Sequence, residues 1–122
     1  MPQAWNPREF VEELECQVCA PWLEDVCPAA PGTAPEVVIA IGPAFGTGIQ
    51  QALSELDLRD VLAAMVRGVA DEGLDARIVR IHHTSDCAFI GHAGAQLSGS
   101  GVAIGIQSRG TTVIHQRDLE PL

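Results

Sequence analysis

Apolar residues in this chain follow two different periods. From 37 to 41, within E-V-V-I-A-I-G, they run without a break. A continuous, mostly β-branched run of this kind predicts a strand buried on both faces. From Leu58 the spacing changes. Leu58, Val61, Leu62, Met65, Val66 and Val69 fall at i, i+3, i+4, i+7, i+8 and i+11, the stripe of an amphipathic helix over about 57–71. Asp57 is its expected N-cap, with Asp60 three residues on, and Gly73 suits the left-handed position past its end. Residues 76–81 read as a second strand, so strand, helix and strand make a βαβ unit with parallel pairing as the default. Thr84 or Ser85 would cap a second helix over about 86–97, whose stripe is Phe89, Ile90, Ala93 and Leu97. Gly91 and Gly94 lower its helix propensity. Residues 102–107 and 111–116 read as two further strands joined by Ser108-Arg109-Gly110, a three-residue loop ending in glycine that predicts an antiparallel hairpin. The fold class is α/β, in the order βαβαββ, with helices covering a mixed sheet.

Residues 1–34 have a different character, holding three of the four cysteines and five of the eight prolines. Phe10, Val11, Leu14, Val18 and Leu23 give a loose helical stripe over 8–26, which Pro21 would end or kink. Residues 28–35, P-A-A-P-G-T-A-P, read as a linker. The expected division is an N-terminal helical appendage over 1–34 and one α/β domain over 35–122, long enough for one modest core.

Charge and composition narrow the function classes. A net charge of −9 repels phosphate backbones and argues against nucleic acid as a partner. With no tyrosine and three phenylalanines, the chain lacks the aromatic platform on which bases stack. No apolar run approaches the ~20 residues that span a bilayer, and no basic-then-apolar start marks a secretory signal. The expectation is a cytoplasmic protein with reduced cysteines.

Candidate chemistry is sparse. The loop G-P-A-F-G-T-G at 42–48 follows a strand, as phosphate loops do, but lacks the Gly-Lys-Ser/Thr ending and the G-x-G-x-x-G order, and no helix starts directly after it. A turn that needs glycine is the better reading. Cys16, Cys19 and Cys27 form C-x2-C-x7-C, a spacing that suits zinc or an iron–sulfur cluster. The fourth ligand is missing from that segment and would have to come from Cys87 or a histidine, so a small metal-binding domain is kept only as an alternative. His82 and His83 end a strand on opposite faces, and a histidine site with His92 or His115 would need tertiary assembly. Asp86 reads from the residues alone as a first-turn carboxylate favoured by the helix dipole, or as an acceptor at the mouth of an open α/β sheet. Arg109 stands at the hairpin tip and Thr111 just after it. No catalytic triad or carboxylate pair is legible.

The stretch L-S-G-S-G-V-A-I-G-I-Q-S-R-G-T-T-V-I-H-Q-R-D-L at 97–119 strongly resembles the medium (beta) subunit of adenosylcobalamin-dependent diol and glycerol dehydratases. V-V-I-A-I-G-P-A-F at 37–45, A-D-E-G-L-D-A-R-I-V-R at 70–80 and T-S-D-C-A-F at 84–89 are similar to that family's preceding segments, in the same order. The resemblance implies a three-layer α/β/α fold with a mixed sheet, similar to anticodon-binding domains. It implies a non-catalytic subunit of a hetero-oligomer, whose partners are the dehydratase large and small subunits. The large subunit holds the substrate and the radical chemistry, so no catalytic residue is expected here. The implied cofactor is adenosylcobalamin, shared with the large subunit. By the same resemblance Asp86 bonds a cobalamin amide, which overturns the simpler reading, while Arg109 stands where the family usually has lysine and Thr111 is a third cofactor contact.

In the family the medium subunit continues past the equivalent of Leu122 with a segment that helps enclose the nucleotide tail, and that part of the site is not in this sequence. By length the chain is similar to a compact relative, the small subunit of the dehydratase reactivating factor, a subunit-exchange chaperone that pairs with an ATPase-type reactivase large subunit. The motifs favour the medium subunit. The N-terminal helix is similar to extensions that direct such enzymes into bacterial microcompartments. A subunit of this kind is expected to expose an apolar patch larger than the few hundred Å2 usual for monomers.

Overall fold

The computed structural model describes residue 27 and residues 30–121. Its elements are β1 (Glu36–Ile41), α1 (Leu58–Asp71), β2 (Asp75–Arg80), α2 (Cys87–Leu97), β3 (Val102–Ile106) and β4 (Thr112–Gln116). The strands form one sheet in the order β2-β1-β3-β4. β1 runs parallel to β2 and β3, and β4 returns antiparallel on β3 with Ile114 opposite Ile104. The expected βαβαββ order and mixed sheet are both present.

β1 is apolar from Val37 to Ile41 because it is central, and all six of its residues, Glu36 included, are buried. Its alternate side chains serve opposite faces. Ile39 and Ile41 join Phe45, Leu58, Leu62, Ile78 and Ile106 in one core cluster, on the α1 side. Val38 and Ala40 join Val79, Ile90, Ala93, Leu97 and Ala103 in the other, on the α2 side. The result is three layers, α/β/α. α1 packs on β2, whereas α2 lies over β1, β3 and β4. The α1 side of the β3–β4 hairpin is therefore left open, and Ile114 on it is 72% exposed.

The helix ends follow the sequence in part. Gly73 adopts φ +75°. Its N–H donates to Ala70 O at 2.9 Å and that of Leu74 to Val69 O at 3.3 Å, which is a Schellman ending. Asp57 is the N-cap of α1, as expected, but its side chain makes no capping hydrogen bond. α2 departs further. Its N-cap is Asp86, not Thr84 or Ser85. The Thr84 hydroxyl instead accepts Asp86 N–H at 3.0 Å. Phe89, expected on the buried stripe, is 48% exposed, because the sheet-facing side of α2 is taken by glycines. A Cβ on Gly94 would lie 2.8 Å from Ala40 Cβ, and one on Gly105 would lie 2.5 Å from Gly91 N. The glycines that lower helix propensity are what let the helix backbone press on the sheet.

The residue before the expected linker, and part of the linker itself, are tied to the core. Cys27 N–H donates to Ile78 O at 2.7 Å, on the outer edge of β2, and Gly32 N–H to Leu97 O at 2.8 Å. The expected N-terminal helix over 8–26, with Cys16 and Cys19, lies outside the described residues. At the same amino end of the sheet Arg77 grips Glu36 in a bidentate pair at 2.9 and 3.1 Å. Gly99 N–H donates to Glu36 Oε1 at 3.0 Å and Ser98 Oγ to Glu36 O at 3.0 Å. The L-S-G-S-G part of the long motif thus builds the end of the domain away from the hairpin loop.

Arg80 is fully buried at the carboxyl end of β2. Its guanidinium donates to Gly42 O at 3.0 Å, Pro43 O at 3.2 Å and Phe45 O at 2.8 Å, pinning the loop after β1. Arg80→Met would keep the apolar stem but remove these donors. We expect a loss of ~2 kcal/mol, the cost of unsatisfied buried acceptors, and a melting temperature lower by roughly 8–16 °C. Thermal unfolding by circular dichroism checks this, and a shift below about 4 °C would show the guanidinium to be dispensable.

Candidate functional site

The three parallel strands end together, so the loops after β1, β2 and β3 share one end of the sheet. Ligands of open α/β sheets bind at this carboxyl end. The loop after β1 packs tightly on the hairpin loop after β3. Gly42 N–H donates to Ile106 O at 2.9 Å, and Ala44 N–H to Ser108 Oγ at 2.9 Å. A Cβ on Gly42 would sit 2.9 Å from both Ser108 N and Ser108 Oγ. Gly46 takes φ +71°, and α1 begins only at Leu58. The glycines therefore shape a turn and a close backbone approach, as the simpler sequence reading had it.

Asp86 sits beside this packed pair of loops. Its Oδ1 accepts from Ala88 N–H at 2.9 Å and Phe89 N–H at 3.2 Å. These are orphan donors of the first helical turn, so the carboxylate is a true N-cap. Oδ2 has no partner among the described residues, and the residue is exposed. The first-turn reading and the acceptor reading are thus compatible, one oxygen for each.

Thr111 is brought to the same place through Cys87, whose Sγ lies 3.1 Å from Thr111 O and 3.6 Å from Gly105 O. Burial pushes the Cys87 thiol up, and the Asp86 carboxylate adds to this, against a lowering by the Gln107 backbone N–H. Arg109 is exposed at the loop tip, and its carbonyl accepts from Leu53 N–H at 2.9 Å. Neither the Arg109 guanidinium nor the Thr111 hydroxyl is spent on a hydrogen bond among the described residues. Asp86, Arg109 and Thr111 are thus gathered at one end with free polar atoms.

The other candidates fall elsewhere. β2 stops at Arg80, so His82 and His83 lie in the connection to α2, His82 half-buried and His83 exposed. His92 and His115 meet edge to face between α2 and β4, ring centroids 5.3 Å apart. His115 Nδ1 is engaged 2.8 Å from Gln116 O. Among the described residues no group of three or more His, Cys, Asp or Glu is placed to hold a metal ion. Cys27 lies at the outer edge of β2, and Cys87 is a free thiol against the hairpin. No helix among the described residues is long and apolar enough to cross a membrane.

Sequence reasoning missed four residues that shape this end: Arg80, Cys87, Phe89 and Ser108. Only Arg80 left a signal, a cation inside the apolar run of Ile78, Val79 and Ile81. The family model described as dehydratase medium subunit matches residues 42–122. That span begins at the loop pinned by Arg80 and includes Asp86, Arg109 and Thr111, in line with the resemblance carried by 97–119. The chain belongs to the dehydratase medium subunit family, and is thus one subunit of a hetero-oligomeric dehydratase.

Proposed function

We propose that this chain holds the periphery of adenosylcobalamin against the large subunit of a diol or glycerol dehydratase, without supplying a catalytic residue. The observation that carries this reading is Asp86, with one oxygen fixed by the cap and the other free and exposed. The cofactor's edge carries amides, and its tail a phosphate. Asp86 Oδ2 suits an amide N–H, and the Thr111 hydroxyl can donate or accept. Arg109 donates to a carbonyl or phosphate oxygen with a planar fork that lysine lacks. Half-exposed Phe89 offers an apolar surface next to Asp86. The donor set fits the group. Bound adenosylcobalamin would supply the radical chemistry by which a vicinal diol or glycerol rearranges and loses water to give an aldehyde. This chain's residues orient and cover.

Docking on the large subunit is assigned to the open α1 side. Leu56 and Ile114 are exposed there. Next to Leu56 lies a groove of about 470 Å3 lined also by Asp60, Val61, Ala64 and Met65. Val61, Met65 and Ile104 form the half-buried rim of the same core. An apolar ridge with basic flanks would complement this groove on a chain of net charge −9.

Co-expression with the dehydratase large and small subunits tests the reading. Assembly and adenosylcobalamin-dependent turnover of propane-1,2-diol or glycerol are expected. Ile114→Asp should weaken assembly about tenfold or more, by placing a charge in an apolar contact. Capture by an ATPase-type reactivase subunit, with displacement of a longer medium subunit, would make the chain an exchange factor instead, and the cofactor contacts would fall.

A further inference from the structure

Cys87 opens α2 directly after Asp86, and its side chain turns back onto the hairpin. A neutral thiol has one proton to donate. Thr111 O at 3.1 Å is nearer than Gly105 O at 3.6 Å. The two carbonyls bracket the loop that carries Ser108, Arg109 and Gly110. Five other hydrogen bonds hold that loop: Gln107 N–H to Thr111 O, Gly110 N–H to Gln107 O, Leu53 N–H to Arg109 O, Ala44 N–H to Ser108 Oγ and Thr112 Oγ1–H to Gly110 O, each 2.9 Å. None of them reaches α2. Among the described residues the Cys87 sulfur carries the hydrogen bonding between the hairpin loop and that helix, donating to Thr111 O and facing the Gln107 backbone N–H.

We propose that Cys87 is a positioning residue, whose S–H···O bond to Thr111 fixes the spacing between Asp86 on α2 and the loop carrying Arg109 and Thr111. Backbone geometry makes the tie specific. Gly105 leaves no room for a Cβ against Gly91, and a Cβ there would also meet Cys87 O at 3.1 Å, so α2 cannot move closer to compensate. The raised thiol pKa keeps the donor proton in place at neutral pH. It also makes Cys87 a poor nucleophile: burial outweighs the Gln107 N–H that favours a thiolate, and a thiolate would face two carbonyl oxygens. The thiol therefore acts as a hydrogen-bond donor. For its consequence at the cofactor this inference rests on the function proposed above.

Amide hydrogen exchange by NMR on the full chain tests it, with Cys87→Ala and Cys87→Ser beside the wild type. In Cys87→Ala the Gln107 and Gly110 amides should exchange roughly three- to tenfold faster, the worth of one hydrogen bond. The Ile39 and Ile41 amides of β1 should not change. Cys87→Ser keeps a donor and should restore most of the protection. Unchanged loop exchange in Cys87→Ala, a serine variant no better than alanine, or acceleration spread equally into β1 would each overturn the proposal. Cobalamin titration of the assembled enzyme separates the two readings. If Asp86→Ala and Cys87→Ala both leave cobalamin affinity intact while the loop still responds to Cys87, the thiol tie stands and the cofactor reading falls. If Asp86→Ala weakens cobalamin but Cys87→Ala changes neither loop nor affinity, the positioning role falls alone.

Discussion

Gly105→Ala is expected to destabilise the domain by at least ~3 kcal/mol, the top of the usual range for overpacking. That corresponds to a melting temperature lower by roughly 12–24 °C. The added methyl would lie 2.5 Å from Gly91 N, 2.6 Å from Gly91 Cα and 3.1 Å from Cys87 O. All three are backbone atoms, so no side chain can swing aside and α2 itself must lift. Lifting it opens the cluster that Ile90, Ala93 and Leu97 complete with β1. It also carries Asp86 and Cys87 away from the hairpin. Gly91→Ala provides the contrast. Its methyl meets first a side-chain atom, Val113 Cγ1 at 2.8 Å, on the edge strand β4, and alanine recovers ~1 kcal/mol of helix propensity. The expected cost there is ~1 kcal/mol or less. Thermal or urea unfolding of the two variants checks the order, and a Gly105→Ala protein as stable as Gly91→Ala would show that α2 is not seated by backbone contact.

That contact also explains where the sequence was readable. β1 was legible because a strand buried on both faces has nothing but apolar residues to show, and α1 because one face is solvated and the period survives. α2 is harder. Its sheet-facing side is partly built from absent side chains, Gly91 and Gly94, which leave no apolar peak to count, and Phe89 falls on the expected stripe in their place. The cap falls at Asp86, not at the expected Thr84 or Ser85, for a related reason. Thr84, Ser85 and Asp86 are all good N-cap residues, and only the fold decides which N–H groups each can reach. The linker reading of 28–35 rested on composition, which says nothing of the carbonyl of Leu97 waiting for Gly32 N–H. At the site, the residues alone put Asp86 at a sheet mouth and Arg109 on a hairpin tip. Resemblance joined them, and the Cys87 contact that fixes their relation is tertiary, between residues 24 apart.

Asp86 has two roles, and two substitutions separate them. Asp86→Ala removes the cap on Ala88 and Phe89, for ~1 kcal/mol of stability and a melting shift of roughly 4–8 °C. It also removes the acceptor proposed for a cobalamin amide. A hydrogen bond to a charged partner is worth ~1.5–3 kcal/mol, so the assembled enzyme should bind adenosylcobalamin roughly 10- to 100-fold more weakly. Asp86→Ser keeps a good capping oxygen and should melt within about 2 °C of the wild type. It has one oxygen where the carboxylate has two, and with that oxygen spent on the cap the cofactor affinity should stay low. Spectrophotometric titration of the wild type and both variants reads the two effects apart. If serine restores affinity along with stability, Asp86 serves the helix alone, and the cofactor contact must be sought at Arg109 and Thr111. If serine restores stability and not affinity, the second oxygen of this carboxylate is what meets the cofactor.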